Sequence, residues 1–516
     1  MKNIFISLVL LLSITTVTRA AKLDTHPVRL DADGKLLPWK PYNEVAALSW
    51  ELLLKRIPVD PANGLKVYFT HCEYDPDTFT GSGWPNNPAG KNAMLADSAL
   101  LWFQYTGDTN VVALVRSLLD HQLAHGTTPA NYAWPNVPWS TARAGSVEYG
   151  NDNTVEGVGV LEPDKLGELG YHGYLRFYEL TGDTRYRNAA IACADTLAAH
   201  RRDGDATKSP WPYRVNAQTG AVVEEYCAHV IAPIRLFDEL IRLNLGNVAA
   251  YRAARQAAWT WLMTHPMKNN IWCQYFEDVP VQGNLGNLNQ YNPGQTARYL
   301  LEHPDADPQW REHTAALIAW IESNFGSTDS GEPGLQYGAR VISEQNAYKF
   351  KMCSHSSRFG AVNALYAAAT GDAAAKDKAF RTLNWCTYMC RDNGAVIEGP
   401  AEFRQNRNNW FTDGHGDYIR HFMLALGAFP EWSPANENHL VRSTSVVKSI
   451  VYRDDRIAYE TFDKIATEIF RLAAAPRHVL ADGQPLPAAA WQHDKATGIL
   501  RVRHDNASRI EIHLAR

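Results

Sequence analysis

Apolar residues recur at three- and four-residue spacing through most of this chain, and the runs come in pairs. Three stretches share one plan: "LLWFQYTGDTNVVALVRSLLDHQLAH", "YLRFYELTGDTRYRNAAIACADTLAAH" and "NALYAAATGDAAAKDKAFRTLNWCTYM". Each reads as an apolar helix, a Thr-Gly-Asp turn and a second helix. Glycine stops the first helix and aspartate caps the next. Two looser copies lie between them, "FDELIRLNLGNVAAYRAARQAAWTWLMTH" and "TARYLLEHPDADPQWREHTAALIAWIESN". First helices are predicted to begin near residues 93, 168, 226, 289, 355 and 415, and second helices near 110, 185, 248, 308 and 374. A sixth second-type helix is "NEVAALSWELLLKR" at the other end of the chain. Six of each kind predict a mainly α protein, a closed (α/α)6 toroid of six helical hairpins.

The links are unequal. Inner-to-outer turns are tight, whereas outer-to-inner links are long and should all emerge on the rim where the inner helices start. After residue 436 the period changes to two, as in "STSVVKSIVYRDDRIAYETF" and "SRIEIHLA", which predicts a C-terminal β-sandwich over 437–516, read as support for the ring with a carbohydrate-binding accessory role as the alternative. The toroid is expected over 21–436. Residues 1–20, "MKNIFISLVLLLSITTVTRA", read as a signal peptide cut after Ala20, with a membrane anchor as the competing reading. The expectation is therefore a secreted or periplasmic protein with no membrane span.

Composition narrows the class. The chain has 516 residues, 45% hydrophobic and 20% charged, with a formal net charge of −5. Removing Lys2 and Arg19 with the leader makes it −7, which argues against a nucleic-acid partner. Seven cysteines without a CxxC pair argue against a disulfide scaffold or a cysteine metal site, though one bridge stays open. No cofactor motif is present, and neither a cofactor nor a metal is expected.

The long links carry the candidate chemistry. They are rich in Trp, Tyr, Asn, His and acidic residues, as in "VYFTHCEYDPDTFTGSGWPNNPAGKN", "NIWCQYFEDVPVQGNLGNLNQYN" and "EGPAEFRQNRNNWFTDGHGDY". Aromatic faces stack on sugar rings while the polar groups bond hydroxyls, so a glycan cleft is expected. Trp84, Tyr149, Trp272, Tyr275 and Trp410 would supply the faces, with Glu225, Arg404 and Asp413 as polar contacts.

The hairpins and aromatic links resemble the six-hairpin carbohydrate-active enzymes, a group that includes glycosidases, unsaturated glucuronyl hydrolases and toroidal polysaccharide lyases. The order Asn, His, Tyr, Arg along the chain is similar to that of the uronate lyases, although the spacing differs. The resemblance implies a carbohydrate-active enzyme without fixing one family, and the richness of the links in Tyr, His, Arg and Asn, with no clear carboxylate pair, favours action on an acidic polysaccharide or oligosaccharide by β-elimination. Elimination needs the uronate carboxylate neutralised, the neighbouring proton removed and the leaving oxygen protonated. Asn151, Asn153 and His229 are candidates for neutralising the carboxylate, with turn formation and a core role as their bland alternatives. Tyr348 is the candidate proton carrier, with His355 and Arg358 on the first turn of the following helix. Ser354 there is also a natural N-cap.

In "FTDGHGDYIRHFMLALG", Gly414 and Gly416 allow close backbone approach, so His415 and an aspartate could enter the cleft. The plain alternative has Asp413 capping the helix and Asp417 pairing with Arg420. A glycoside hydrolase stays open, with Asp152, Glu168, Glu225, Glu277, Asp278, Glu398 and Asp413 as carboxyl candidates. A glycan-binding protein without activity is a third reading.

Overall fold

A computed structural model describes residues 22–61, 63–75, 77–82, 86–143, 145–150, 159–273, 286–327, 337–346, 351–399 and 412–515. Inner helices are α2 (Pro88–Thr106), α4 (Pro163–Glu168) continued through a wide π turn into α5 (Arg176–Thr181), α7 (Ile231–Arg242), α10 (Tyr291–Glu302), α12 (Cys353–Thr370) and α14 (Thr412–Ala428). Each packs on an outer partner. These are α3 (Thr109–His125), α6 (Thr184–Ala199), α8 (Val248–Thr264), α11 (Trp310–Phe325), α13 (Ala373–Thr387) and, from the N-terminal side, α1 (Tyr42–Glu51). A short α9 (Pro266–Asn269) follows α8. The ring closes where α14 lies against α2. This is the (α/α)6 toroid, with helix starts within a few residues of expectation.

The Thr-Gly-Asp turns work by three local devices. Thr106, Thr181 and Thr370 donate Oγ1 to the carbonyl four residues back, at 2.8, 2.6 and 2.7 Å. Gly107, Gly182 and Gly371 take φ of 75, 74 and 81°, the left-handed region that a side chain resists. Asp108, Asp183 and Asp372 then accept from backbone N–H groups of the next helix at 2.9 Å. Asn247 caps α8 in the same way, accepting from the Ala250 N–H at 3.3 Å.

The inner helices run parallel. Asp97, Arg298 and Arg420 each lie about midway along α2, α10 and α14, and they meet on the ring axis. The helix N-termini therefore share one rim, the rim fed by the long links. The opposite rim carries the glycine turns, and the C-terminal strands pack there: a Cβ at Gly107 would lie 3.1 Å from the Ile450 carbonyl.

Two antiparallel sheets form the C-terminal sandwich. One orders its strands His439–Ser443, Ala466–Arg471, Ile499–His504 and Trp491–Asp494. The other orders Val447–Tyr452, Arg456–Thr461, Arg509–Leu514, Pro476–Ala481 and Gln484–Pro485. Leu440, Phe470, Leu500 and Val502 from the first face Ile450, Ile457, Ile510 and Ile512 from the second in one buried cluster. Among the described residues no helix is long and apolar enough to cross a membrane. Residues 1–20, expected to be a signal peptide, lie outside them. All seven cysteines are buried, and Cys193, Cys353, Cys386 and Cys390 are free thiols.

Gly182 has nothing within 4 Å of a built Cβ, so alanine there tests backbone strain alone. We expect Gly182→Ala to cost about 1–2 kcal/mol from the left-handed φ, and Asp183→Ala about 1 kcal/mol from the lost cap. Denaturant unfolding checks both; two unchanged midpoints would mean that the turn is not the device described.

Candidate active site

The ring axis is polar. At its centre Asp417 of α14 accepts from both guanidinium groups of Arg358 and Arg420, and from His421 Nε2 at 3.0 Å. Burial alone would raise the Asp417 carboxyl, but Arg358 and Arg420 outweigh it and hold it well below the usual carboxylate range. Burial lowers His421 to about 3, so it is neutral and Nε2–H donates. The pairing of Asp417 with Arg420 is thus the structural role expected of it. Arg358 also reaches Gln290 Oε1 at 3.0 Å and stacks 4.4 Å from the centre of the Tyr291 ring.

Beside this network, at the rim of the long links, a second cluster joins three helix entrances. Glu168 closes α4, His229 precedes α7 and Tyr291 opens α10. One Glu168 oxygen, Oε1, accepts from the Tyr291 hydroxyl and from His229 Nε2 at 2.8 Å, while Lys165 Nζ lies 3.3 Å from Oε2. Burial would raise Glu168, yet Lys165 and His229 hold it well below its ordinary range. Burial pushes the Tyr291 hydroxyl up, and the Glu168 charge adds to the rise. Glu168 is therefore a carboxylate and Tyr291 a proton holder. With Nε2–H given to the carboxylate, His229 carries its lone pair on Nδ1, which has no partner among the described residues. Glu168, His229, Tyr291, Arg235 and Arg420 line one narrow cavity on the axis.

A third group lies at the start of α12, which packs beside α10. Glu398 Oε2 accepts from the Ser354 N–H at 3.3 Å and from its hydroxyl at 3.0 Å. Burial pushes the carboxyl up to about 8 against these bonds, and Glu344 and Asp417 add to the rise. His355 Nδ1 meets Arg358 Nη1 at 3.0 Å, and its Nε2 lies 3.5 Å from Glu344. Ser354 sits inside α12 and bonds Glu398, so it is not the N-cap its position suggested.

Of the other anticipated site residues, Tyr348, Asn153, Trp84, Tyr275, Arg404 and Trp410 lie outside the described residues, as does the side chain of Asp413. The same holds for Asn151, Asp152, Glu277 and Asp278. Trp272 is corrected: it is wholly buried, because a large aromatic at the base of its link gains more from the core than from water, and it offers no face to a sugar. Tyr149 is half-buried against α3, its hydroxyl 2.9 Å from His121 Nδ1. Glu225 is exposed and paired with Arg202 at 2.5 Å, away from the axis. His415 is wholly buried and, with burial lowering it to about 3, neutral. Gly416 earns its place by packing: a Cβ would lie 2.9 Å from the Leu95 backbone nitrogen, so glycine lets α14 and α2 touch.

No family model matches the chain, and no curated protein matches it in sequence. Solved structures do match in fold. Cellobiose 2-epimerase from Spirochaeta thermophila aligns with a TM-score of 0.54 at 10% identity, over 75% of this chain and 97% of that one. A D-mannose isomerase gives 0.57 at 8% identity, over 75% and 97%. A family 76 glycoside hydrolase from a bovine Bacteroides thetaiotaomicron strain gives 0.51 at 14%, over 75% and 78%. The toroid is a shared fold.

The sequence reading missed Tyr291, Lys165 and Glu344. Tyr291 follows Asn289 and Gln290 at a helix entrance in "NLNQYNPG", and that position was the available signal. Among the described residues no group of three or more His, Cys, Asp or Glu is arranged for a metal ion.

Glu398 gives a pH test. Its folded value, about 8, stands above the ordinary 4.5, so the folded protein keeps a proton that the unfolded chain releases. The stability tied to this proton is fully present below about 4.5 and is lost as pH rises through about 8. Glu398→Gln should flatten the fall in melting temperature across that window, an effect on the order of a few kcal/mol at ~1.4 kcal/mol per pKa unit. A variant with the wild-type slope would refute the buried protonated carboxyl.

Proposed function

We propose that this protein is an exported carbohydrate-active enzyme, a lyase that cleaves an acidic polysaccharide by β-elimination at the rim of the long links. The observation that carries this reading is His229, which lines the axial cavity beside Tyr291 with Nε2 on the Glu168 carboxylate and Nδ1 without a partner among the described residues. His229 removes the proton next to the uronate carboxylate. The electron pair forms the new carbon–carbon double bond, and the bond from the neighbouring carbon to the glycosidic oxygen breaks. The leaving oxygen takes a proton from a tyrosine. Arg358 stacks on Tyr291 and Arg420 lines the cavity, and these two guanidinium groups share the one Asp417 carboxylate, which leaves positive charge beside the cluster for a substrate carboxylate. Asn153, at the neighbouring link, would add a hydrogen bond to it. Residues 21–436 are the catalytic unit in this reading and 437–516 its support, with residues 1–20 removed on export.

Two tyrosines compete as donor. Tyr291 is favoured because its hydroxyl keeps its proton and its ring lines the axial cavity beside His229; Tyr348 precedes α12 in the chain. Tyr291→Phe should cut turnover about 10²-fold with the fold retained, the scale of a lost general acid. Tyr348→Phe is the parallel variant. If it alone loses activity, the donor passes to Tyr348, and near-normal turnover in both sinks the mechanism.

The hydrolase reading has its own observation. Glu398 is protonated at neutral pH close to Glu344, which is how a general acid beside a second carboxyl is prepared. Incubation with uronic-acid polysaccharides separates the two. Ultraviolet absorbance of an unsaturated uronide means elimination, and new reducing ends without it mean hydrolysis that fails above pH about 8. Conversion of a neutral sugar with neither signal would overturn both and favour an epimerase or isomerase.

A further inference from the structure

A second cavity lies on the ring axis at the end away from the long links. Its volume is about 270 Å³. Gln104 near the end of α2, Glu302 at the end of α10 and Gly427 near the end of α14 place it at the C-termini of the inner helices. Arg442, Ser443 and Thr444, at the start of the sandwich, close its far side. Leu101, Leu365 and Met423 give it one apolar flank.

Its charges do not balance internally. Four guanidinium groups line it, from Arg176, Arg235, Arg298 and Arg442, against the carboxylates of Asp97 and Glu302. Arg176 is matched from outside the wall by Glu179 at 2.6 Å and Glu239 at 3.3 Å. Glu302 is shared by Arg235 at 2.5 Å and Arg298 at 2.7 Å. Asp97 is shared by Arg298 at 3.0 Å, Arg420 at 3.5 Å and His172 at 3.6 Å. Arg442 makes no ion pair among the described residues. Arg235 is 5% exposed, and its Nη2 has no acceptor among the described residues. A buried guanidinium nitrogen without an acceptor is costly, and the missing partner is an acceptor oxygen.

We propose that this rear cavity is a binding site for a small hydroxylated carboxylate, the size of one sugar acid. The carboxylate bonds Arg235 Nη2 and faces Arg442, the planar fork being matched to carboxylate geometry. The hydroxyls meet Gln104, Ser443 and Thr444, and the apolar face of the ring lies on Leu101 and Leu365. Tyr171, His172 and Arg235 line both this cavity and the narrow one beside Glu168, so a ligand here is felt at the candidate active site. The site itself does not depend on the lyase reading.

The test is calorimetric titration of the full protein with sodium D-glucuronate, D-glucose and inorganic phosphate. Arg235 is left intact, because removing it would strand Glu302. Arg442→Glu reverses an exposed charge, and Leu365→Phe narrows the cavity from a different helix; melting curves check both folds. We expect glucuronate to bind, at least tenfold weaker to each folded variant and unchanged in Tyr291→Phe, with glucose and phosphate at least tenfold weaker. Loss in Tyr291→Phe with Arg442→Glu unaffected would place binding at the front site and overturn the proposal, leaving the front reading intact. Equal binding of glucose would overturn the role of charge. Tighter binding of phosphate would overturn the carboxylate, and no glucuronate binding at all would overturn the site.

Discussion

Asp417 is the constraint on which the ring depends. It is buried, ionised and bonded to Arg358 of α12, Arg420 of its own helix and His421. Taking these charges out of water is expensive, and only a closed set of partners offsets the cost. The set closes only when α12 and α14 stand side by side with their N-termini on one rim. Removing one partner would leave a charge stranded, a loss typically of about 3–5 kcal/mol. Arg420 extends the network to Asp97 of α2, and Arg298 brings in α10. An apolar axis would tolerate a slipped helix more readily than this one.

The same network prepares the chemistry. Two glutamates on the ring, Glu168 and Glu398, are both buried, yet they hold opposite protonation states. Lys165 and His229 keep Glu168 ionised. Among the described residues Glu398 has neutral donors, from Ser354 and the Cys353 thiol, and two acidic neighbours, so it keeps its proton. A carboxylate that orients a histidine and a carboxylic acid that can donate are therefore available on one rim. Base-led elimination draws on the first and acid-led hydrolysis on the second.

The axis also carries cavities at both of its ends. The glycine turns keep the inner-to-outer links short, so nothing from them folds over the rear rim, and the sandwich covers it instead. The long links gather at the front. Burial of Trp272 shows that an aromatic residue in such a link is not automatically a sugar platform. Near the helix ends the core competes for it.

The sequence by itself determined the helices, their pairing and their turns, because these rest on local rules. Period, a left-handed glycine and an aspartate cap are all written within a few residues of Thr106, Thr181 and Thr370. It also separated the strand-rich end, since alternation differs from helical spacing. His229, His355 and Arg358 were legible as candidates from their place at helix entrances. Their partners were not. Glu168 and Tyr291 are far apart along the chain and meet only when the ring closes. Whether Glu168 is ionised and Glu398 protonated was likewise decided by tertiary structure, because burial and neighbouring charge set a pKa and neither is a property of local sequence.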